Sequence, residues 1–177
     1  MKHALRKKFL HIRNNLDTTY QIQATEKIFK TLEEIYVGFG TEIQTEYLIK
    51  KYIDSKEIFV PKIVNGVMKL VKIKNWADLS IGHFNVLEPI QNDFYVEEID
   101  LVITPSIVFD KNGYRLGYGK GYYDKYFSEN KYKTSLGLSF EKLLQEEIPK
   151  EKHDKNVDLI ITEERIIVIN EKHSSNY

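Results

Sequence analysis

The residues with the most chemical potential lie between Asp110 and Asp124, in the run DKNGYRLGYGKGYYD. Gly113, Gly117, Gly119 and Gly121 fall inside it, four of the chain's nine glycines, together with four of its twelve tyrosines. A strongly apolar stretch, DLVIT (100–104), precedes the run, and YYDKYFSEN at its end reads as the start of a helix. Between a strand and a helix, glycines let the backbone curl until several N–H groups face one anion, and the helix N-terminus adds its positive end. Arg115 and Lys120 supply full charges suited to phosphate oxygens. Asp124 falls in the first helical turn, where a carboxylate can hold a Mg²⁺ that bridges phosphates. The glycines alternate at 117, 119 and 121, so the run is neither a P-loop ending in GKS or GKT nor a G-x-G-x-x-G fingerprint. Taken alone it is either a turn-rich loop or an anion cradle. The flanking strand and helix, two cations and a carboxylate favour the cradle.

Other reactive side chains carry less information. Lys2 and Arg6 are four apart and share a helix face, which is ordinarily a solvated one. His153 stands beside Asp154, but adjacent residues rarely present their side chains to each other, so the pair reads as structural. Trp76 reads as packing. Asp158 opens an apolar run and reads, without further context, as a turn carboxylate.

The elements that must position these residues follow from periodicity. Leu5, Phe9, Ile12 and Leu16 form one apolar stripe of a first helix. Asp17, Thr18 and Thr19 offer N-cap chemistry for a second, with Ile22, Ile28, Leu32 and Ile35 on its apolar face. A short strand is expected over 35–39, a loop over 40–42, and a third helix capped by Thr45. Lys56–Val60 reads as a strand ended by Pro61, MKLVKI as a half-exposed strand, and WADLSIGHFNVLEP as an irregular connector. DLVIT is expected to be a central strand buried on both faces. TSLGLSF, a helix EKLLQEEI, then DLIIT and RIIVIN complete the alternation. The expected fold is α/β: a compact three-layer domain with a largely parallel central sheet flanked by helices. One domain spans 1–177, with 171–177 a loose tail.

Composition narrows the function. The 177 residues contain no cysteine, which excludes disulfides, thiolate metal sites and thiol catalysis. The 26 basic residues balance 26 acidic ones, a sum that argues against bulk binding to nucleic acid. Even so, Lys2, Arg6, Lys7, Lys8 and Arg13 sit in the first sixteen residues with no acid among them. No apolar run approaches the roughly 20 residues of a membrane helix, and no signal peptide is visible. A cytoplasmic monomer without a membrane partner is expected.

The segment FDKNGYRLGYGKGYYDKY closely resembles the signature of 5-formyltetrahydrofolate cyclo-ligases. Other elements appear in that family's order: Lys2, Leu5 and Arg6, the GTEIQTE loop (40–46), FVPK (59–62), Leu87-Glu88-Pro89, and HDKNVDLIITEE (153–164). The resemblance covers nearly the whole chain. It implies conversion of 5-formyltetrahydrofolate to 5,10-methenyltetrahydrofolate with MgATP, releasing ADP and phosphate. Carried over by position, Arg115, Leu116, Gly117, Tyr118, Gly119, Lys120, Gly121, Tyr122 and Tyr123 would wrap the ATP phosphates. Lys120, Arg115 and Tyr123 would serve the transfer itself, with Lys120 on the moving group. Lys2, His3, Ala4, Leu5 and Arg6 match the N-terminal segment that contacts ATP. Asp124 and Asp158 would ligate Mg²⁺. Val37 and Glu42 would meet the folate, with Tyr122 and Tyr123 as walls for the flat pterin, and Phe84 lies near the same substrate.

The chain departs from the family pattern at two places. Ser106-Ile107-Val108 replaces smaller residues after Pro105, and Tyr118 occupies a position that is basic in some relatives. Two other readings keep the same loop: a kinase for another small molecule, and a non-catalytic sensor of a sugar phosphate or nucleotide. Nucleic-acid binding through the basic first helix is a third, without a base-stacking motif to support it.

Overall fold

A computed structural model describes residues 1–35, 46–82 and 86–170. Residue 35, expected to begin a strand, is helical, and the rest of that strand (36–39), the loop at 40–42, the Thr45 cap, Val37, Glu42, Phe84 and the 171–177 tail lie outside the described residues. The chain begins with α1 (Lys2–Asn14) and α2 (Thr18–Ile35). Asp17 accepts the Tyr20 N–H at 2.9 Å, the N-cap bond that satisfies one of the helix's orphan donors. α1 buries Phe9 and lays Leu5 and Ile12 along the core, Leu16 packs there from the connection to α2, and α2 buries Ala24, Ile28, Phe29 and Leu32. Ile22 departs from the expected stripe: it is 55% exposed and lines a cleft described below.

After α3 (Glu46–Tyr52), β1 (Ile58–Val64) and β2 (Val67–Ile73) form an antiparallel hairpin. Its turn is Asn65-Gly66, with φ of 50° and 75°, the left-handed pair that matches strand twist in a two-residue turn. Pro61 does not end the strand. It pairs in register with Leu70, and β1 is an edge of its sheet, where a missing N–H leaves no central ladder broken. The expected irregular connector contains a 3₁₀ turn (Trp76–Asp78) and the paired strands β3 (Leu79–Ile81) and β4 (Leu87–Pro89). Trp76 packs against Ile49, Ile58, Val60 and Ile73. β5 (Phe94–Tyr95) completes a three-stranded antiparallel sheet beside β2.

The central sheet follows. β6 (Ile99–Thr104) leads to the short hairpin β7 (Val108–Phe109) and β8 (Arg115–Leu116), then α4 (Tyr122–Glu129) and β9 (Tyr132–Leu138). β10 (Leu159–Ile161) and β11 (Ile166–Val168) close it in the order β11-β10-β9-β6. The β6–β9 and β9–β10 pairings are parallel and β10–β11 is antiparallel. Among the described residues β6 is thus a terminal strand, not the central one its apolar run suggested. β9 and β10 hold the middle, and β10 is buried along its whole length.

Alternation along the strands divides the core. Ile103, Leu136, Leu138, Leu159 and Ile161 face α1 and α2. Val102 and Tyr132 face away, toward Tyr126 and Phe127 of α4 and Met68 of the hairpin. The α/β layering expected from sequence is present, with the antiparallel hairpin added to it. No described helix is long and apolar enough to cross a membrane.

The helix expected over EKLLQEEI is only a 3₁₀ turn, Glu141–Leu143. Beyond it the Gln145 N–H donates to Phe109 O at 2.9 Å and Lys111 N–H to Gln145 O at 2.9 Å. Tertiary pairing with β7 thus outcompetes local helix propensity.

Asp110 anchors the approach to the glycine run. It is fully buried; Oδ1 accepts the N–H groups of Asn112 (2.9 Å) and Tyr114 (3.0 Å), and Oδ2 that of Ile148 (3.1 Å). Gly113 then turns with φ of +83°, and a Cβ there would stand 2.8 Å from the Val157 carbonyl oxygen. Asp110→Asn sets an amide NH₂ against one of these donors in a buried site. It should cost about 1–3 kcal/mol, read as a lower urea midpoint with an unchanged m-value.

Candidate active site

The glycine run forms one wall of a cleft of about 1890 Å³ at the carboxyl ends of β6 and β9. Thr104-Pro105-Ser106 and Leu138-Ser139-Phe140 form its floor, and α1 and α2 supply the facing wall. Open α/β sheets expose their loops and ligand sites at this edge. Ser106 Oγ donates to the Val108 carbonyl (2.6 Å) and accepts the Val108 N–H (3.1 Å), which braces the β7–β8 hairpin from behind. The unusual Ser106-Ile107-Val108 segment thus packs well: Ile107 and Val108 are each 1% exposed.

Within the wall, Gly119 has φ of +91° and Gly121, the residue preceding α4, has φ of +66°. Arg6, more than a hundred positions earlier, donates from Nε to Gly117 O at 2.7 Å. A Cβ on Gly119 would lie 3.1 Å from the Arg6 guanidinium carbon. The loop is glycine-rich because its backbone both turns left-handed and lies against an arginine. Tyr118 is exposed, and its hydroxyl accepts from Arg13 Nη2 at 3.1 Å, so α1 brings a second cation to the loop. Lys120, Tyr122 and Tyr123 line the cleft.

Arg115 is sunk behind the loop, with a side chain 5% exposed. Nη2 donates to Asp124 Oδ1 at 2.6 Å and Nη1 to the Lys155 carbonyl at 2.7 Å. Burial pushes its guanidinium below the usual arginine range, against the opposing pull of Asp124. The ring of Phe127 lies 5.3 Å away and that of Tyr123 5.9 Å. Arg115 therefore fastens the loop, α4 and residue 155 together from behind the cleft wall.

Lys2 reaches the cleft from α1 and contacts Asp154 Oδ2 at 2.8 Å and Glu151 Oε1 at 3.0 Å. Burial alone would lower its ammonium, but the two carboxylates outweigh that and raise it. Burial alone would likewise raise the Asp154 carboxyl. The hydrogen bonds from Lys2 and the Glu151 N–H reverse that and lower it.

The structure brings Lys2, Arg6, the 115–123 run and Asp124 to one cleft, and it does not bring all the expected residues there. Among the lining side chains Lys2 and Arg6 appear, but His3, Ala4 and Leu5 do not. Leu5 packs on the core instead. Leu116 is 1% exposed and belongs to the same core, so its part is to anchor the loop. Asp158 is not at the cleft. It is 2% exposed, and Oδ2 accepts from Ser135 N (2.9 Å) and Ser135 Oγ (2.8 Å) while Oδ1 accepts from Asn170 Nδ2 (2.9 Å). Its carboxylate thus staples the start of β10 to β9 and to the chain after β11.

Asp154, not Asp158, lines the cleft with Asp124, as do Glu26 and Glu151. The sequence signal lay in the same HDKNVD run: Asp158 abuts the buried LII strand, whereas Asp154 lies in its polar loop. His153 is no dyad partner, being well exposed and 3.9 Å from Asp154 Oδ1. Asp124 and Asp154 both act electrostatically on Arg115, and the Lys155 N–H donates to Asp124 Oδ1 at 2.9 Å. Both hydrogen bonds to Asp124 fall on Oδ1, and both to Asp154 fall on Oδ2. Each carboxylate thus has one oxygen outside these hydrogen bonds. No group of three or more His, Asp or Glu assembles among the described residues. Two carboxylates suit Mg²⁺, which keeps waters and takes phosphate oxygens as its other ligands.

Comparison with known proteins places the chain in a family. The model of the 5-formyltetrahydrofolate cyclo-ligase family matches residues 1–163. A 5-formyltetrahydrofolate cyclo-ligase of Mycoplasma pneumoniae is 31% identical over 172 residues, 92% of this chain and 99% of that protein. The enzyme of the same name from Haemophilus influenzae is 28% identical over 170 residues, 85% of this chain and 91% of that one. The NMR structure of Aquifex aeolicus 5,10-methenyltetrahydrofolate synthetase superposes with a TM-score of 0.83 at 28% identity, covering 95% of this chain and 92% of that one. An α/β fold with a glycine-lined anion cleft and a match to the family model along nearly its whole length make this chain a member of the 5-formyltetrahydrofolate cyclo-ligase family.

Proposed function

We propose that this protein closes 5-formyltetrahydrofolate to 5,10-methenyltetrahydrofolate, consuming ATP and releasing ADP and phosphate. The observation that carries this reading is the convergence of Lys2, Arg6 and the Gly117–Gly121 segment on one cleft that Asp124 and Asp154 also line. That wall suits a polyphosphate with its metal, and it comes from segments far apart in sequence.

The reaction explains why such a site is needed. A formamide carbon is a poor electrophile because the nitrogen lone pair is delocalised into the carbonyl. Transfer of the terminal phosphoryl group of ATP to the formyl oxygen makes that oxygen a leaving group. The second folate nitrogen then attacks the carbon, the five-membered ring closes, and the C–O bond breaks to release phosphate. The protein's part is to align the reactants and stabilise charge, as in other phosphoryl transfers.

In this reading Lys120 meets the oxygens of the moving phosphoryl group, and Lys2 and Arg6 hold the polyphosphate. Arg115 acts by positioning Asp124. Tyr122 and Tyr123, in the first turn of α4, offer flat walls to the pterin. Asp124 and Asp154 would hold Mg²⁺, which spreads the negative charge of the phosphates. Val37 and Glu42 remain the folate contacts implied by the family. In this reading the chain works as a monomer in the cytoplasm, and its zero net charge weighs against bulk binding to nucleic acid.

Methenyltetrahydrofolate formation is measured by absorbance with 5-formyltetrahydrofolate and MgATP. Product is expected only with ATP present; its absence at adequate enzyme concentration sinks the proposal. A stable phosphorylated product would instead identify a kinase. Lys120→Ala should lower kcat by roughly 10²–10³-fold, with much less change in folate affinity. An equal loss in both would assign Lys120 to general binding. Asp154→Asn should raise the Mg²⁺ concentration needed for half-maximal rate, whereas Asp158→Asn should lower the melting temperature and leave that requirement unchanged. A Mg²⁺ titration of the two variants side by side decides between them.

A further inference from the structure

Thr104 is the last residue of β6 and lies at the floor of the cleft. It is 1% exposed, and its Oγ1 is the one buried side-chain polar atom without a hydrogen-bond partner among the described residues. The surroundings explain why the protein offers it none. Its partner across the strand pairing is Gly137, which has no side chain, and the next residue, Pro105, has no N–H. Valine has nearly the same shape and would fill this place without stranding a hydroxyl, so the fold itself gains nothing from the oxygen.

The walls around this end of the cleft are apolar. Phe29, Ile107, Leu138, Phe140 and Leu143 all line the cleft and belong to the core cluster that also contains Ile103, the neighbour of Thr104. The full charges in the lining come from the glycine run, α1, the 151–154 segment, and Glu26 and Lys30 of α2. Ser106 and Ser139 share the floor, but their hydroxyls are already bonded within the protein, so Thr104 Oγ1 is the one unpartnered hydroxyl there. Beside the apolar side chains it suits a flat heterocycle that presents a ring nitrogen or an exocyclic amino or oxo group. A hydroxyl can donate to the first and last of these and accept from the second.

We infer that Thr104 Oγ1 binds the polar edge of an aromatic heterocycle seated on the cleft floor. This rests on the reading of the cleft as a cyclo-ligase site, which supplies two such rings, the adenine of ATP and the pterin of the folate. Their shared chemistry is a planar ring edged with nitrogen donors and acceptors. Thr104 is a binding residue and takes no part in the bond changes.

The test uses Thr104→Val and Thr104→Ser in the full chain, with Kd for MgATP and for 5-formyltetrahydrofolate measured separately by calorimetry, and with melting temperatures and steady-state kinetics alongside. The valine variant should melt at or above the wild-type temperature. It should bind one of the two ligands roughly 5- to 30-fold more weakly and the other within about twofold, with kcat little changed. The ligand that weakens identifies the ring, and serine should restore its affinity. Unchanged affinity for both ligands overturns the inference. So does an equal loss for both, or a loss with a lower melting temperature that serine fails to repair. Should the valine variant not fold, Thr104→Ala is read by the same criteria. A wild-type protein that binds neither ligand would instead bring down the cyclo-ligase reading itself, and this inference with it.

Discussion

Arg115 and Asp124 form the contact on which the geometry of the cleft depends. One guanidinium, nearly withdrawn from water, joins the strand before the glycine run, the first turn of α4 and the backbone at Lys155. A charge placed there is tolerable only because a carboxylate and a carbonyl meet it at 2.6 and 2.7 Å. The same bonds fix where the glycine loop begins and where Asp124 and Asp154 stand relative to it. A loop of alternating glycines has little conformational preference of its own. Its shape is imposed from its ends, by Leu116 in the core on one side and by α4 on the other.

The facing wall works by a different logic. α1 is an amphipathic helix whose apolar stripe docks it on the central sheet and thereby aims Lys2, Arg6 and Arg13 across the cleft. Each finds an oxygen: a carboxylate of the 151–154 segment, the Gly117 carbonyl and the Tyr118 hydroxyl. Arg13 brings a further cation to the loop at Tyr118. The molecule's zero net charge thus conceals a local separation. Cations of α1 face the loop and the carboxylates across the cleft.

Much of this was legible in the residues. The apolar stripe of α1, the Asp17 cap, the tight turn at Asp110–Gly113 and the start of α4 all follow from local chemistry. The glycine run stood out because Lys120 and Asp124 combine charge with a distinctive setting, whereas Lys2 and Arg6 entered only through the family resemblance. The illegible parts have a common physical cause, which is competition from partners distant in the chain. EKLLQEEI has helical periodicity but lies beside β7, which takes its backbone groups. Pro61 stays within a strand because that strand is an edge. Asn65-Gly66 was a readable hairpin signal, and the strands on either side of it carry the matching alternation.

The two aspartates of the HDKNVD run make the division clear. Local sequence determined that a polar loop would meet a buried strand there, that phosphate-compatible glycines and cations existed, and that the fold would be α/β. Only the tertiary structure decided which carboxylate faces the cleft. Asp158 is drawn inward because β10 lies between two strands, where Ser135 and Asn170 saturate its oxygens. Asp154 is held at the cleft because a lysine from the other end of the chain arrives beside it. Both outcomes depend on contacts between residues more than ten positions apart, and such contacts exist only once the chain has folded.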